Sequence, residues 1–168
     1  VTTKDKTLLL AEFKYIAVII NKAAYCNLKS GIPSNSQLIS NRAGWIINVE
    51  EGVEGAPNNL IDGKTGTDVA LNNKGFWFTV DLGEAKVLTG IKTNHWANAY
   101  APREVEILQS ENGTTWKSLS SLAISDDTQN ITFISPITTR YLKYQIITIS
   151  TNGRTDVTEF NVYEPKSE

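Results

Sequence analysis

From Leu38 onward the chain contains no apolar repeat that would carry a helix. It has short β-favouring runs instead, each stopped by a turn signal. The runs are Trp45-Ile46-Ile47-Asn48-Val49, Phe76–Leu82, Val87–Thr93, Glu104–Gln109, Thr115–Leu119, Ile131–Ile134, Tyr141–Ile149 and Thr158–Tyr163. Two of them alternate as a half-buried strand requires. Val105 and Ile107 point one way against Glu104 and Glu106, and Leu142, Tyr144 and Ile146 oppose Tyr141, Lys143 and Gln145. Asn112-Gly113 is a two-residue hairpin signal. About eight or nine strands with turns every 8–12 residues or so predict an all-β fold, an antiparallel β-sandwich of jelly-roll type.

The first 37 residues break this rhythm. Thr7-Leu8-Leu9-Leu10 and Phe13–Ile20 are rich in β-formers, Lys22–Cys26 tolerates a helix, and Ser30–Ser36 reads as a linker or wide turn. Residues 1–37 are therefore expected to form an N-terminal extension or the remnant of an upstream domain, and residues 38–168 the sandwich. A chain that begins at Val1 and lacks methionine is expected to be a piece of a longer protein whose targeting signals lie elsewhere.

Composition excludes several function classes. With 40% apolar and 20% charged residues the chain is not of disordered type. A net charge of −2 gives no basic footprint for nucleic acid or an anionic membrane. Tyr15–Ile20 is too short to span a bilayer, so membrane insertion is not expected. One cysteine, Cys26, precludes an internal disulfide, and one histidine with no cysteine cluster argues against zinc. No Ser-His-Asp arrangement and no phosphate loop occur. Glu50, Glu51 and Glu54 read as a solvated loop, since nothing fixes the carboxylate separation that glycoside hydrolysis needs.

Five stretches add a more specific signal. Asn59-Leu60-Ile61-Asp62-Gly63 with Thr67 four residues later resembles the Ile-Asp-Gly…Thr signature of the discoidin, or coagulation factor V/VIII type C, family. Phe76–Gly83 is similar to that family's Val-Asp-Leu-Gly strand, and Val87–Ile91 to the strand after it. Ser110–Trp116 is similar to its Ser-x-Asp-Gly-x-x-Trp turn, with Asn112 in the aspartate position, and Thr158–Tyr163 to its last strand. These stretches run in the family's order over residues 38–164. The likeness is nearest to bacterial family-32 carbohydrate-binding modules, which share the galactose-binding-domain-like sandwich and lack the blood-factor disulfide.

The resemblance implies a metal site. Carried over residue by residue, it assigns a structural Ca²⁺ to the Asp62 carboxylate, the Thr67 hydroxyl, the carbonyls of Asn59 and Lys64, Glu159 and the Thr158 carbonyl. The chemistry is coherent, because Ca²⁺ takes six to eight hard oxygens in a flexible shell. The competing reading is an Asp-Gly turn in which Asp62 caps its own backbone amides.

The resemblance also implies a sugar site on loops at one end of the sandwich. A sugar suits one aromatic platform ringed by polar side chains, and the loop Asn94–Arg103 supplies both. Trp96 or Tyr100 is the expected platform, with His95, Asn98 and Arg103 as hydrogen-bonding groups. Asn152, Arg154, Asn72 and Asn73 come second. Trp45, Trp77 and Trp116 are assigned to the core by strand position. His95 as a satisfied histidine, and Arg103 paired with Glu104 or Glu106, are the competing structural readings.

The expected function is that of a non-catalytic carbohydrate-binding module of a secreted or surface multidomain protein associated with a glycoside hydrolase. It would bind terminal galactose- or N-acetylhexosamine-type sugars. The expected setting is extracellular, at a bacterial cell surface or in a periplasm, and the isolated domain is expected to be a monomer. The alternative is a protein- or membrane-binding discoidin domain, which would need apolar spikes with a basic collar.

Overall fold

The computed structural model describes residues 26–29, 31–124 and 126–167. Readings made for Thr7–Leu10, Phe13–Ile20 and most of Lys22–Cys26 lie outside the described residues. The strands are β1 (Cys26–Lys29), β2 (Ser36–Leu38), β3 (Ile46–Val49), β4 (Val69–Asn72), β5 (Trp77–Asn94), β6 (Glu104–Ser110), β7 (Lys117–Ala123), β8 (Thr128–Thr148), β9 (Arg154–Val157) and β10 (Glu159–Pro165). Among the described residues the only helical element is a single 3-10 turn, Pro57–Leu60.

Every ladder is antiparallel. Two strands, β5 and β8, serve both layers of the sandwich. In one layer Gly90–Asn94 of β5 pairs with Thr128–Thr132 of β8, with β10 and then β2 on one side and β1 on the other. In the second layer Trp77–Asp81 of β5 pairs with Tyr141–Gln145 of β8, flanked by β3 on one side and by β6 and β7 on the other. The sequence splits each of these strands in two, at Gly83–Lys86 and near Pro136. In the structure neither is a turn: the chain bends from one layer into the next, with register shifts between Asp81 and Lys86 and between Leu88 and Gly90. Gly90 permits the crossing, because a Cβ there would sit 2.6 Å from the Ile131 carbonyl oxygen. The two strands before Ile39 lie on the outer flanks of the first layer.

The core lies between the layers, and each large apolar side chain buried there contributes roughly 1.5–3 kcal/mol. Phe78 of β5 stacks on Tyr144 of β8 at 5.2 Å, and Phe160 reaches across from β10 to meet Phe78 edge-on at 5.1 Å. Val105, Ile107, Leu142, Tyr144 and Ile146 are buried, as the alternation requires. Trp45 is buried as well. Trp77 and Trp116 are only half-buried, contrary to their assignment to the core. Phe78 of β5 and Phe76 just before it take the inward positions, so Trp77 faces outward under the Lys143 ammonium, 4.8 Å from its ring.

At the bend of β5 the Asp81 carboxylate takes a two-point bond from Arg140 (2.8 and 2.9 Å) and a third from the Gly83 N–H (2.8 Å). The Arg140 guanidinium outweighs burial and holds Asp81 below the usual carboxylate range. A carboxyl lowered in this way stabilises the fold above its ordinary range, and the gain is lost as pH falls through the lowered value. Asp81→Asn is therefore expected to cost about 1 kcal/mol near neutral pH in urea titration, with the two proteins converging in acid. A gap that stays constant into acid would show that geometry, and not charge, makes the contribution.

Candidate functional site

Three segments meet at one end of the sandwich: the loop between β5 and β6, the loop between β8 and β9, and the start of β4. Backbone bonds fix them. The Thr158 N–H donates to the Asn94 carbonyl (2.8 Å), the His95 N–H to Asp127 (2.8 Å) and the Asp156 N–H to Tyr100 (3.3 Å). The Trp96 N–H donates to Asp156 Oδ1 (3.2 Å). Trp96 is left 56% exposed, the one large aromatic raised above this surface among the described residues. Beside it lies a cleft of about 260 Å³ lined by Asp68, Trp96, Tyr100 and Arg154.

The floor of the cleft is charged. Arg154 Nη1 lies 2.9 Å from Asp68 Oδ2 and 3.6 Å from Asp156 Oδ2, and Nη2 lies 3.8 Å from Glu54 Oε2. Short ladders set this group in place. Asp156 faces Ala70 across the β4–β9 pair, and Ala70 in turn bridges to Glu54. Gly55 has φ +88°, and a Cβ there would sit 2.1 Å from the Asp68 carbonyl oxygen, so only glycine lets the Glu54 segment close on β4. The Asp156 side chain is fully buried. Burial, aided by the Asp68 charge, raises its carboxyl to about 6, against the Trp96 N–H and Arg154, which pull it down.

The structure gathers Trp96, Tyr100 and Arg154 around the cleft and places the other predicted ligand groups differently. His95 is buried beneath it: Nδ1–H donates to the Asp156 carbonyl (2.5 Å) and Nε2 accepts from the Thr93 hydroxyl at 3.3 Å. Burial lowers its pKa to about 4, so the ring is neutral. Arg103 does not pair with Glu104 or Glu106. Its Nη2 donates to the Asn98 carbonyl (2.7 Å), Asn98 Oδ1 (2.9 Å) and Thr151 Oγ1 (3.4 Å), clamping one loop to the other. Asn152 Oδ1 accepts from the Arg154 N–H (2.9 Å) and the Ser150 hydroxyl (3.0 Å), shaping the turn that presents Arg154. The Asn73 N–H, at φ 56°, donates to Gly153, and Asn72 Nδ2 donates to Glu54. Asp68 and Glu54 carry no local signal, since each reads in sequence as an ordinary loop charge. Only strand pairing across the chain reveals their place.

The loop after the 3-10 turn is a separate feature. Asp62 Oδ1 accepts from the Lys64 N–H (2.8 Å), and Oδ2 accepts from the Thr67 hydroxyl (2.8 Å), which lies 3.4 Å from the Lys64 carbonyl. Glu159 Oε2 reaches the same loop at the Gly63 N–H (3.0 Å). One carboxylate, one hydroxyl and one carbonyl thus converge with a second carboxylate close by; these are hard oxygens of the kind Ca²⁺ takes, and the Asp62–Lys64 bond is equally the backbone cap of the competing Asp-Gly turn. Asn59 turns its side-chain amide to the Asp68 carbonyl, and Thr158 Oγ1 is buried without a partner. Among the described residues no three His, Cys, Asp or Glu side chains form a metal cluster. Glu159 Oε1 already has a cation, Arg42 Nη1 at 2.6 Å, and the same nitrogen donates to the Ile61 carbonyl at 2.9 Å.

A larger concavity of about 340 Å³ opens beside the β6–β7 hairpin, lined by Gln109–Asn112, Thr115, Lys117, Thr138 and Thr139. None of its described lining residues is aromatic. The Asn112 carboxamide oxygen there is occupied by the N–H groups of Thr114 and Thr115.

A model of the F5/8 type C domain matches residues 40–160. No curated protein matches the chain. Among solved structures, the family-32 carbohydrate-binding module of NanJ from Clostridium perfringens, in complex with galactose, is 22% identical (TM-score 0.63; 77% of this chain, 99% of that one). An F5/8 type C domain from Bacteroides fragilis is 19% identical (TM-score 0.67; 80% and 100%). The family-32 module of AlyQ, in complex with 4,5-unsaturated mannuronic acid, is 21% identical (TM-score 0.60; 70% and 92%). At these identities the likeness establishes the sandwich fold.

Proposed function

The chain belongs to the F5/8 type C domain family, and from that premise we propose that it is a non-catalytic carbohydrate-binding module of a secreted or surface protein. Its ligand is a terminal sugar of galactose or N-acetylhexosamine type, taken in the cleft of Asp68, Trp96, Tyr100 and Arg154. One observation carries the reading: an exposed indole stands beside a charged pair whose polar atoms line the same cleft. The apolar C–H face of a sugar ring stacks on Trp96. Neighbouring hydroxyls accept from the Arg154 guanidinium and donate to the Asp68 carboxylate, a pairing that orients the ring. Tyr100 completes the lining. His95, Asn98, Arg103 and Asn152 contribute by holding the two loops and the Arg154 turn in place.

We also propose that Asp62, Thr67, the carbonyls of Asn59, Lys64 and Thr158, and Glu159 hold a structural Ca²⁺. When bound, the ion crosslinks an early loop to the last strand and takes no part in contacting the sugar. An anionic membrane is a poor partner for the same end of the molecule, since Glu54 and Asp68 stand where a basic collar would be needed.

Isothermal titration with galactose and N-acetylgalactosamine tests the site. Trp96→Ala is expected to weaken binding about tenfold or more, and Tyr100→Ala to weaken it less. Affinity unchanged in both variants would move the site elsewhere.

A further inference from the structure

We infer that this cleft selects uncharged sugars and rejects uronic acids, and that Glu54, Asp68 and Asp156 set the choice. The inference rests on the carbohydrate reading above and sharpens it, because the fold leaves the matter open: relatives have been solved with a neutral sugar and with an unsaturated uronate.

A sugar carboxylate is bound best by a guanidinium with its fork free for a two-point contact. Among the described residues the one cation lining this cleft is Arg154, and its fork is already engaged. Nη1 faces Asp68 at 2.9 Å and Asp156 at 3.6 Å, and Nη2 faces Glu54 at 3.8 Å. Three carboxylates surround one positive charge, so the local field is negative despite the arginine. A uronate would enter against that field and would have to displace Asp68 from Arg154.

The same carboxylates favour hydroxyls. Asp68 Oδ2 and Asp156 Oδ2 are buried atoms, the first held 2.9 Å from Arg154 Nη1, while the Asp68 side chain as a whole stays 20% exposed. Asp68 lines the cleft, so it offers an acceptor to an O–H donor, which a neutral sugar has at every ring position and a carboxylate lacks. Asp156, fully buried, acts through its charge alone. These groups are not wandering surface charges. The Asp156–Ala70 pair, the Glu54–Ala70 bridge and the Gly55–Asp68 approach hold all three backbones in adjacent rows. The second arginine of the region, Arg103, is turned into Asn98 and Thr151 and does not line the cleft.

The test uses three matched pairs on the intact chain near neutral pH: galactose with galacturonate, glucose with glucuronate, and mannose with mannuronate. In each pair that binds, the neutral member is expected to bind about tenfold or more tighter at low salt, and the gap is expected to narrow above roughly 0.5 M salt as the field is screened. Glu54→Gln, which removes the charge of an exposed carboxylate and keeps an oxygen for Asn72 Nδ2, is expected to narrow the gap. Asp68→Asn is expected to free Arg154 and bring the uronate within about threefold of its partner. A uronate bound by the wild type as tightly as its neutral partner would overturn the inference and leave the carbohydrate reading standing. A gap indifferent to salt and to both substitutions would also overturn it, since shape and not charge would then be selecting. Silence of all six sugars and of N-acetylgalactosamine would remove the carbohydrate reading, and this inference with it.

Discussion

Arg42→Ala is expected to cost the fold about 3–5 kcal/mol, the usual penalty for stripping one partner from a buried ion pair. Arg42 binds three partners from distant parts of the chain: the Ile61 carbonyl (2.9 Å), Glu159 Oε1 (2.6 Å) and Asn161 Oδ1. Its guanidinium also lies 5.9 Å from the Trp45 ring. The side chains of Arg42 and Glu159 are only 13% and 5% exposed, so water cannot take over when one is removed. Urea denaturation of Arg42→Ala, Glu159→Gln and the double variant measures the coupling. A double variant no worse than Arg42→Ala is expected, because most of the loss comes from the carboxylate left behind. A loss below about 1 kcal/mol in Arg42→Ala would show that the contact is idle.

The same variant probes the calcium proposal. If Glu159 shares itself between Arg42 and Ca²⁺, adding calcium should stabilise the wild type, by about 2.7 kcal/mol at a hundredfold excess over Kd. In Arg42→Ala the carboxylate is free of its competitor, and calcium should recover a larger share of the stability. Wild-type unfolding that does not move between chelator and calcium would remove the metal proposal and leave the role of Arg42 untouched.

The second large effect is concealed in the wild type. His95 is held near 4 by burial, while an unfolded histidine titrates at its ordinary 6.5. Between those values the unfolded chain binds a proton that the native state refuses, so stability falls as pH drops from 6.5 to 4. Asp156 is held near 6, mainly by burial, and would titrate at 3.8 when unfolded. Between those values the native state keeps a proton that the unfolded chain has lost, so stability rises as pH drops from 6 to 4. The windows overlap, each slope is worth about 3 kcal/mol over its span, and they cancel. Asp156→Asn is expected to lose about 3 kcal/mol relative to wild type between pH 6.5 and 4, while His95→Asn gains a similar amount. Thermal or urea unfolding at both pH values reads the difference directly. Two variants that track the wild type in parallel would refute the compensation.

What the sequence discloses and what it withholds divide along a physical line. Strand alternation is local, so Val105, Ile107, Leu142 and Tyr144 show their burial in their spacing. The candidate cleft was partly legible for the same reason: Trp96 sits among Asn and Ala in place of an alternating strand, and Arg154 follows a turn. Long-range partners leave no such mark. Arg42 acquires its role from Glu159, 117 residues on, and His95 is buried by a carbonyl 61 residues on. Glu54 and Asp68 look like solvated loop charges until the β4–β9 ladder and the close approach of Gly55 bring them to Arg154. The bends of β5 and β8 misled in the opposite direction. Gly83-Glu84-Ala85-Lys86 has the composition of a turn, and whether a chain turns or crosses to a second layer depends on neighbours the segment does not contain.

The passage of β5 and β8 through both layers has a mechanical consequence. In a sandwich whose strands each belong to one sheet, the layers are joined only by loops and by the packing between them, and tension can part them along that seam. Here two covalent backbones cross the seam, each bonded to neighbours on either side of it. Separating the layers would require tearing hydrogen bonds out of both at once, so the molecule resists shear as a single block. In a sugar-binding module of the kind proposed, that property would keep the Trp96 cleft intact while a load passes through.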